Sequence, residues 1–267
     1  MNPEISATER IAIVAESRDW CVVNKPGDLV CHPTKKGPAS SLIGRLRLHY
    51  ATHPEARPSF VNRLDRETSG IVLVAKNPSA HQRLQAAMAA PSAEKAYLAI
   101  VHGTPRERAG VIEQPLGRHP SSEVGVLQAV VPGGAASATA WRILEEASGF
   151  SLLEARPRTG RLHQIRVHLA WLGHPIVGDK LYGPDPRLYL EFIRSGWTSE
   201  LEKRLLVSRQ MLHAARLALD AEGEGKLAWE APPPPDFAAF YAKAFGKGAL
   251  FDSGVAPPSP VSSPRLS

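Results

Sequence analysis

The 267-residue chain is 43% hydrophobic, enough to bury a core as one large domain or two small ones. With 32 Lys+Arg against 26 Asp+Glu, its formal charge is +6 and its pI about 9.5, a moderate excess that favours a polyanionic partner. Cys21 and Cys31 are too few for a disulfide framework or a four-ligand zinc site, residues 1–20 lack a basic-then-apolar leader, and no run approaches the ~20 apolar residues of a spanning helix, so a cytoplasmic protein with free thiols and no membrane partner is expected.

"IAIVAE" and "CVVNKPG" read as strands, the second closing on a Pro-Gly turn before "DLVCHPT". "SSLIGRLRLHYA" predicts a helix with Leu42, Leu46 and Tyr50 or His49 on one face. "GIVLVAK" is a continuous apolar run between Gly70 and "KNPS", the pattern of a strand buried on both faces. "SAHQRLQAAMAA" predicts a helix capped by Ser79 and stopped at Pro91.

"KAYLAIVHG" is another β-rich run, and residues 111–138 read as strands joined by loops. "ATAWRILEE" and "FSLLEARPR" flank "ASG" as a hairpin, and the helix "RLHQIRVHLAWLG" ends at Gly173 with Pro175 just beyond. "LYLEFIRSG" and "SELEKRLLVSRQMLHAARLAL" are helical in part, the second turning to strand near its end; "APPPPDF" packs as a loop. Strands and helices alternate too irregularly for a βαβ array, so an α+β fold with a mixed, mostly antiparallel sheet is expected. One domain over residues 1–250 and a proline-rich, disordered tail over 251–267 complete the expected organisation.

Several chemistries lack their residues. There is no G-x-x-x-x-G-K-[ST] and no G-x-G-x-x-G after a strand, which leaves nucleotide-driven chemistry unsupported. His163 and His168 lie five apart, whereas the zinc pair of H-E-x-x-H lies four apart on one helix face, so no metal is expected. No G-x-S-x-G elbow is present.

"VNRLDRETSGIVLVAK" closely resembles the R-L-D-x-x-T-S-G signature of the RluA-type pseudouridine synthases. Four more segments agree in order: "VVNKPGDLVCHP", "EKAYLAIVHG", "RTGRLHQIRVHLAWLGHPIVGDKLYG" and "LHAARLAL", so that the resemblance covers roughly residues 11–236. It implies a monomeric RNA pseudouridine synthase of the pseudouridine synthase fold, acting on specific uridines of rRNA or tRNA without cofactor, nucleotide or metal. Two departures stand out. Asn62 occupies the place where the family usually has His, and the S4 domain that many relatives carry is not expected before the first motif.

Pseudouridine formation breaks the C1′–N1 bond of a uridine, turns the uracil and rejoins it through C5. The sugar becomes electron-poor, so an ionised carboxylate can stabilise it, attack it or take a proton from it. Asp65 is the candidate carboxylate, and desolvation alone would raise its pKa, so a cation beside it is needed. The resemblance assigns that cation to Arg166. On the residues alone, Ile165, Leu169 and Leu172 form an apolar face that leaves Arg166 at its border, compatible with a cleft or with an exposed arginine whose stem covers the core.

By resemblance Arg63 fills the space left by a flipped nucleotide, its plain alternative being a phosphate contact or a surface salt bridge. The resemblance likewise implies that Tyr97 stacks on the uracil and that its hydroxyl helps remove the C5 proton; alone, it would read as core. Thr68, Ser69 and Gly70 shape the loop, while Lys25, Arg158, Arg161 and Lys180 are candidates for RNA backbone contacts. Two rivals remain at this level: a catalytically silent RNA-binding module of the same fold, and a glycosidase with Glu67 as its second carboxylate.

Overall fold

The apolar run after Gly70 forms β4 (Ser69–Ala75), whose seven residues are all buried. Alternate side chains serve two cores, as a strand covered on both faces requires. Ile71, Leu73 and Ala75 pack with Ala80, Leu84 and Ala87 of α2 (Pro78–Ala89), whereas Val72 and Val74 pack with Leu42 and Leu46 of α1 (Leu42–His49). These features come from a computed structural model that describes residues 11–247 apart from 34, 36 and 148; the tail expected over 251–267 lies outside the described residues.

β4 sits within a ten-stranded sheet. The strand order is β1 (Ala12–Glu16), β2 (Trp20–Lys25), β4, β11 (Leu212–Ala221), β5 (Glu94–His102), β10 (Phe150–Pro157), β9 (Thr139–Ala147), β6 (Ala109–Ile112). β12 (Gly225–Glu230) also pairs with β11, and β3 (Ser59–Phe60) with β4. Only β4 and β11 run parallel, through Ser69↔His213 and Gly70↔Ala214; the other pairings are antiparallel. This is the mixed, mostly antiparallel α+β sheet expected from the sequence. A separate hairpin pairs β7 (Leu116–Arg118) with β8 (Gln128–Val130). A third core joins β5, β9 and β10 to α3 (Gln164–Trp171) and to Phe237 and Tyr241 of α6 (Pro235–Phe245). The short helices α4 (Arg187–Ser195) and α5 (Ser199–Leu205) precede β11.

Three local expectations need correction. The cap of α2 is Asn77, whose side chain accepts from Ala80 N at 2.8 Å with Pro78 at the first turn; Ser79 instead accepts from Arg83. "APPPPDF" is only partly loop, because Pro235 opens α6, a position where the missing N–H needs no partner. α3 begins at Gln164, since His163 is left-handed at φ 57°. Both cysteines are buried and unbridged, and among the described residues no helix is long and apolar enough to cross a membrane.

The parallel junction depends on a residue without a side chain. Gly70 has φ +113°, and a Cβ there would lie 2.2 Å from the Ala214 carbonyl oxygen. Beside it, Ser69 Oγ lies 3.0 Å from His213 Nδ1, and His213 Nε2 lies 2.9 Å from the Ala231 carbonyl oxygen. A carbonyl can only accept, so Nε2 carries the proton and Nδ1 accepts from the serine. Burial pushes the His213 pKa down to about 4.

Two outcomes follow from this junction. Gly70→Ala should destabilise the protein by at least about 3 kcal/mol in chemical denaturation, and a loss below about 1 kcal/mol would mean that the strands need not approach so closely. Stability should also be fully present above pH 6.5 and decline as the pH falls through about 4, because the unfolded imidazole binds a proton that the buried one excludes. A His213→Asn variant, less stable overall, should lose less over that window; an equal loss would assign the acid limb to other groups.

Candidate active site

Between β3 and β4 the chain makes a loop, residues 61–68, held from every side. Val61 N donates to Leu73 O at 2.9 Å, and then a side chain continues the ladder: Asn62 Oδ1 accepts from Leu73 N at 2.7 Å and Asn62 Nδ2 donates to Ile71 O at 3.2 Å. The amide at this departure from the family pattern thus uses both its donor and its acceptor to extend the sheet. Farther on, Thr68 Oγ1 accepts from Gln210 Nε2 at 2.8 Å, and Glu67 O accepts from Arg209 Nη1 at 3.0 Å.

Asp65 lies at the turn of this loop, where Thr68 N donates to its carbonyl at 3.2 Å. Its Oδ2 accepts from Arg166 Nη1 at 2.8 Å. Arg166 is only 5% exposed, which removes the bland alternative of a surface arginine. Its other two donor positions, Nε and Nη2, make a two-pronged contact with Asp179 at 2.7 and 2.9 Å. Asp179 Oδ1 also accepts from Leu181 N and Tyr182 N at 3.0 and 3.1 Å. Burial works against each charge, yet each more than offsets it in the other: the Asp179 carboxyl is held below its usual range and the guanidinium is pushed further up. Among the described residues Asp65 Oδ1 has no protein hydrogen-bond partner.

Asp65 opens onto a cavity of about 670 Å³ and is the only acidic side chain among its described lining residues, against Arg63, Arg66, Lys95, Arg161 and Arg166. Tyr97 lines it from β5. It lies in a register row, Gly70↔Ala214↔Tyr97↔Ala155, in which directly paired side chains share a face. The two alanines beside the tyrosine leave the ring room. Burial, with the nearby Asp65 charge, pushes the phenol pKa well above its ordinary value, so the ring is neutral at physiological pH. Arg63 is exposed and its Nη1 lies 2.6 Å from His32 Nε2. Arg161 is exposed and donates to Ala136 O at 3.2 Å, and Arg158, exposed beside Glu113, lies outside the cavity lining.

Two expected RNA contacts are not available to RNA. Lys25 is fully buried, and its Nζ donates to the carbonyls of Pro26, Leu29 and Arg66 at 2.7, 2.9 and 3.0 Å; burial pushes its pKa down to about 8. Lys180 is 2% exposed, pairs with Glu67 Oε1 at 2.7 Å and sits 4.6 Å from the Phe192 ring centroid. Both staple the loop from within. The pairing also occupies Glu67, the carboxylate that a glycosidase would need. Thr68, Ser69 and Gly70 are all buried where the loop enters β4.

Asp179, Gln210 and the His163–Tyr182 pair were not assigned roles from the sequence. His163 Nδ1 lies 2.7 Å from Tyr182 Oη, and its Nε2 is 3.9 Å from Asp65 Oδ2. Asp179 had a local signal. It follows Gly178, at φ +78°, where a Cβ would lie 2.2 Å from the Arg209 carbonyl oxygen, so "VGD" marks a turn packed tightly beneath the site. The other histidine of the helix, His168, is buried, with Thr139 and the Gln114 carbonyl on its two ring nitrogens.

Comparison with known proteins bears on the family. Residues 19–171 match the family described as RNA pseudouridylate synthase. An uncharacterized RNA pseudouridine synthase of Chloroflexus aurantiacus is 40% identical over 219 residues, covering 80% of this chain and 63% of its own length. The ribosomal large subunit pseudouridine synthase D of Vibrio cholerae is 38% identical over 227 residues, covering 84% of this chain and 68% of its own. Thus the chain spans about 63% to 68% of the length of these relatives. Among solved structures, human RNA pseudouridylate synthase domain containing 1 superposes with a TM-score of 0.68 at 28% identity, over 98% of this chain and 100% of that one. A family match over more than half of the residues, together with relatives this similar along most of the chain, has one meaning: the chain belongs to the RNA pseudouridylate synthase family.

Proposed function

We propose that this chain isomerises uridine to pseudouridine in RNA, with large-subunit ribosomal RNA as its substrate and Asp65 as the carboxylate that acts on the sugar. The observation that carries the reading is a single carboxylate lining a cationic cavity, with one oxygen anchored by a buried guanidinium. Arg166 fixes Asp65 Oδ2 and leaves Oδ1 to meet the ribose as nucleophile or base. A binding module would gain nothing from an acidic group among cations that face RNA phosphates. The ribosomal assignment is supported by the relatives named ribosomal large subunit pseudouridine synthase D.

A uridine stacked in RNA does not expose C1′ to a carboxylate, so the target nucleotide has to leave its stack. Arg63, exposed at the cavity mouth, is placed to take up the vacated space, and Arg161 to meet the backbone. Tyr97 supplies a flat, neutral face for the detached uracil while it turns. Its raised pKa makes a phenolate base unfavourable at neutral pH, which favours stacking over proton removal as the role of the ring. Asp179 acts at one remove as a positioning residue, since its two-pronged hold sets the plane of the guanidinium.

Mapping pseudouridines in cells that lack the protein should show one or more sites missing from large-subunit ribosomal RNA, restored by the wild-type gene and not by Asp65→Asn. With purified protein that variant should bind RNA within a few-fold of wild type and lose at least about 10²-fold in turnover. Sites missing only from transfer RNA would overturn the ribosomal assignment; restoration by Asp65→Asn would remove Asp65 from the chemistry.

Asp179→Asn tests the anchor separately. It should lower stability by about 3 kcal/mol, since one buried charge loses its partner, and lower the single-turnover rate at least about tenfold at saturating RNA. RNA affinity and its salt dependence should stay unchanged, because Asp179 is outside the cavity lining. Weaker binding with an unchanged rate would make the Arg166 and Asp179 pair part of the RNA-binding surface instead.

A further inference from the structure

His163 is held in a conformation that its backbone resists. It is one of three non-glycine residues with positive φ among the described residues, at φ 57°, immediately before α3 and within the cavity lining. A side chain in this region is strained by about 1–2 kcal/mol, a condition that persists where the surroundings over-determine it.

The surroundings of the ring allow an arrangement that aims its proton at Asp65. Gln128 N donates to Tyr182 Oη at 3.0 Å, so the hydroxyl's own hydrogen is free to point at the other neighbour, His163 Nδ1, 2.7 Å away. Burial, and then the adjacent Arg166 cation, push the imidazole pKa down to about 4, so the ring is neutral and carries one hydrogen. With Nδ1 accepting from the tyrosine, that hydrogen resides on Nε2. It faces Asp65 Oδ2 at 3.9 Å, about 1 Å beyond a hydrogen bond. Tyr182 is itself held by Arg166, whose guanidinium carbon lies 4.9 Å from the centre of the phenol ring. Arg166 therefore contacts both Asp65 and the tyrosine that meets His163.

The geometry points to His163 as a positioning residue that, when RNA closes the site, donates its Nε2 hydrogen to Asp65 Oδ2 beside Arg166. Oδ2 then accepts two hydrogen bonds from different directions, and Oδ1 alone is aimed at the ribose. The inference rests on uridine isomerisation at this site. It adds a chain of donors, from the Gln128 backbone through Tyr182 and His163 to the carboxylate, that reaches the loop from the β8 hairpin. Apo sites commonly hold such contacts slightly long and tighten them on the substrate.

Asparagine distinguishes this role from a structural one. It tolerates the left-handed backbone and its Oδ1 can accept from Tyr182, yet it is too short to reach Asp65. Glutamine places an amide near the Nε2 position. His163→Asn should therefore melt close to wild type and bind RNA within about twofold, but lose about 10- to 100-fold in single-turnover rate, whereas His163→Gln should recover most of that loss. Nitrogen NMR of the free protein should show the Nε2–H tautomer, with Tyr182→Phe producing a mixture of tautomers. An Nδ1–H ring in the wild type, or equal rates for His163→Asn and the wild type, would overturn the inference. Equal losses in the Asn and Gln variants would overturn it too, since a donor at the Nε2 position would then be irrelevant. Wild-type protein that makes no pseudouridine in any RNA would instead defeat the proposed activity, and the tautomer measurement is unaffected by that result.

Discussion

The site depends on one buried cation. Arg166 lies in the interior with 5% of its surface exposed, and a guanidinium stripped of water is tolerable only where its donors are matched. Asp179 matches two and Asp65 a third. Because the group is planar and rigid, those contacts fix the angle between a carboxylate buried beneath the site and a carboxylate that faces the cavity. The loop that carries Asp65, the first turn of α3 and the turn after Gly178 are thereby tied to one another. None can shift without exposing an unpaired charge.

The remaining cations divide into two kinds. Lys25, Lys180 and Arg209 point inward and hold the loop that carries Asp65 through its carbonyls and Glu67, with Arg209 also paired to Asp236. Buried lysines that contact several carbonyls act here as cross-links, each replacing hydrogen bonds that an irregular loop cannot make with itself. Arg63, Arg66 and Arg161 remain exposed at the cavity mouth, where an RNA backbone would approach. The formal charge of +6 counts both kinds alike, so the field outside the cavity is set by which of them the fold leaves exposed.

The sheet supplies the floor of the site in the same economical way. One parallel contact, Ser69 and Gly70 against His213 and Ala214, brings the end of the Asp65 loop beside β11 and so next to Tyr97 on β5. That junction needs a glycine for its close approach, a small residue on either side of the tyrosine, and a neutral histidine bridging Ser69 to the Ala231 carbonyl. Strand register thus sets the distance between the Tyr97 ring and the Asp65 carboxylate.

Much was legible in the chain itself. The two-sided burial of "GIVLVAK" and the hairpin around "ASG" follow from local pattern, because burial on one or two faces imposes its period on the sequence. In the segment 199–219 the pattern predicts a change from helix to strand near the end, whereas the helix stops at Leu205 and the strand already starts at Leu212. The ordered motifs placed Asp65, Tyr97 and Arg166 in one site, and the structure brings them to one cavity. What the chain could not convey was which charges end up inside. Lys25 and Lys180 sit in motif loops just as Arg161 does, and Asp179 reads as an ordinary acidic residue of a basic segment. Among their partners, Arg66, Glu67 and Arg166 lie 41, 113 and 13 residues away. Local sequence fixes backbone period and turn chemistry, but the protonation and the use of a charged side chain depend on how much water and which counter-charge surround it, and only the packed tertiary structure decides both.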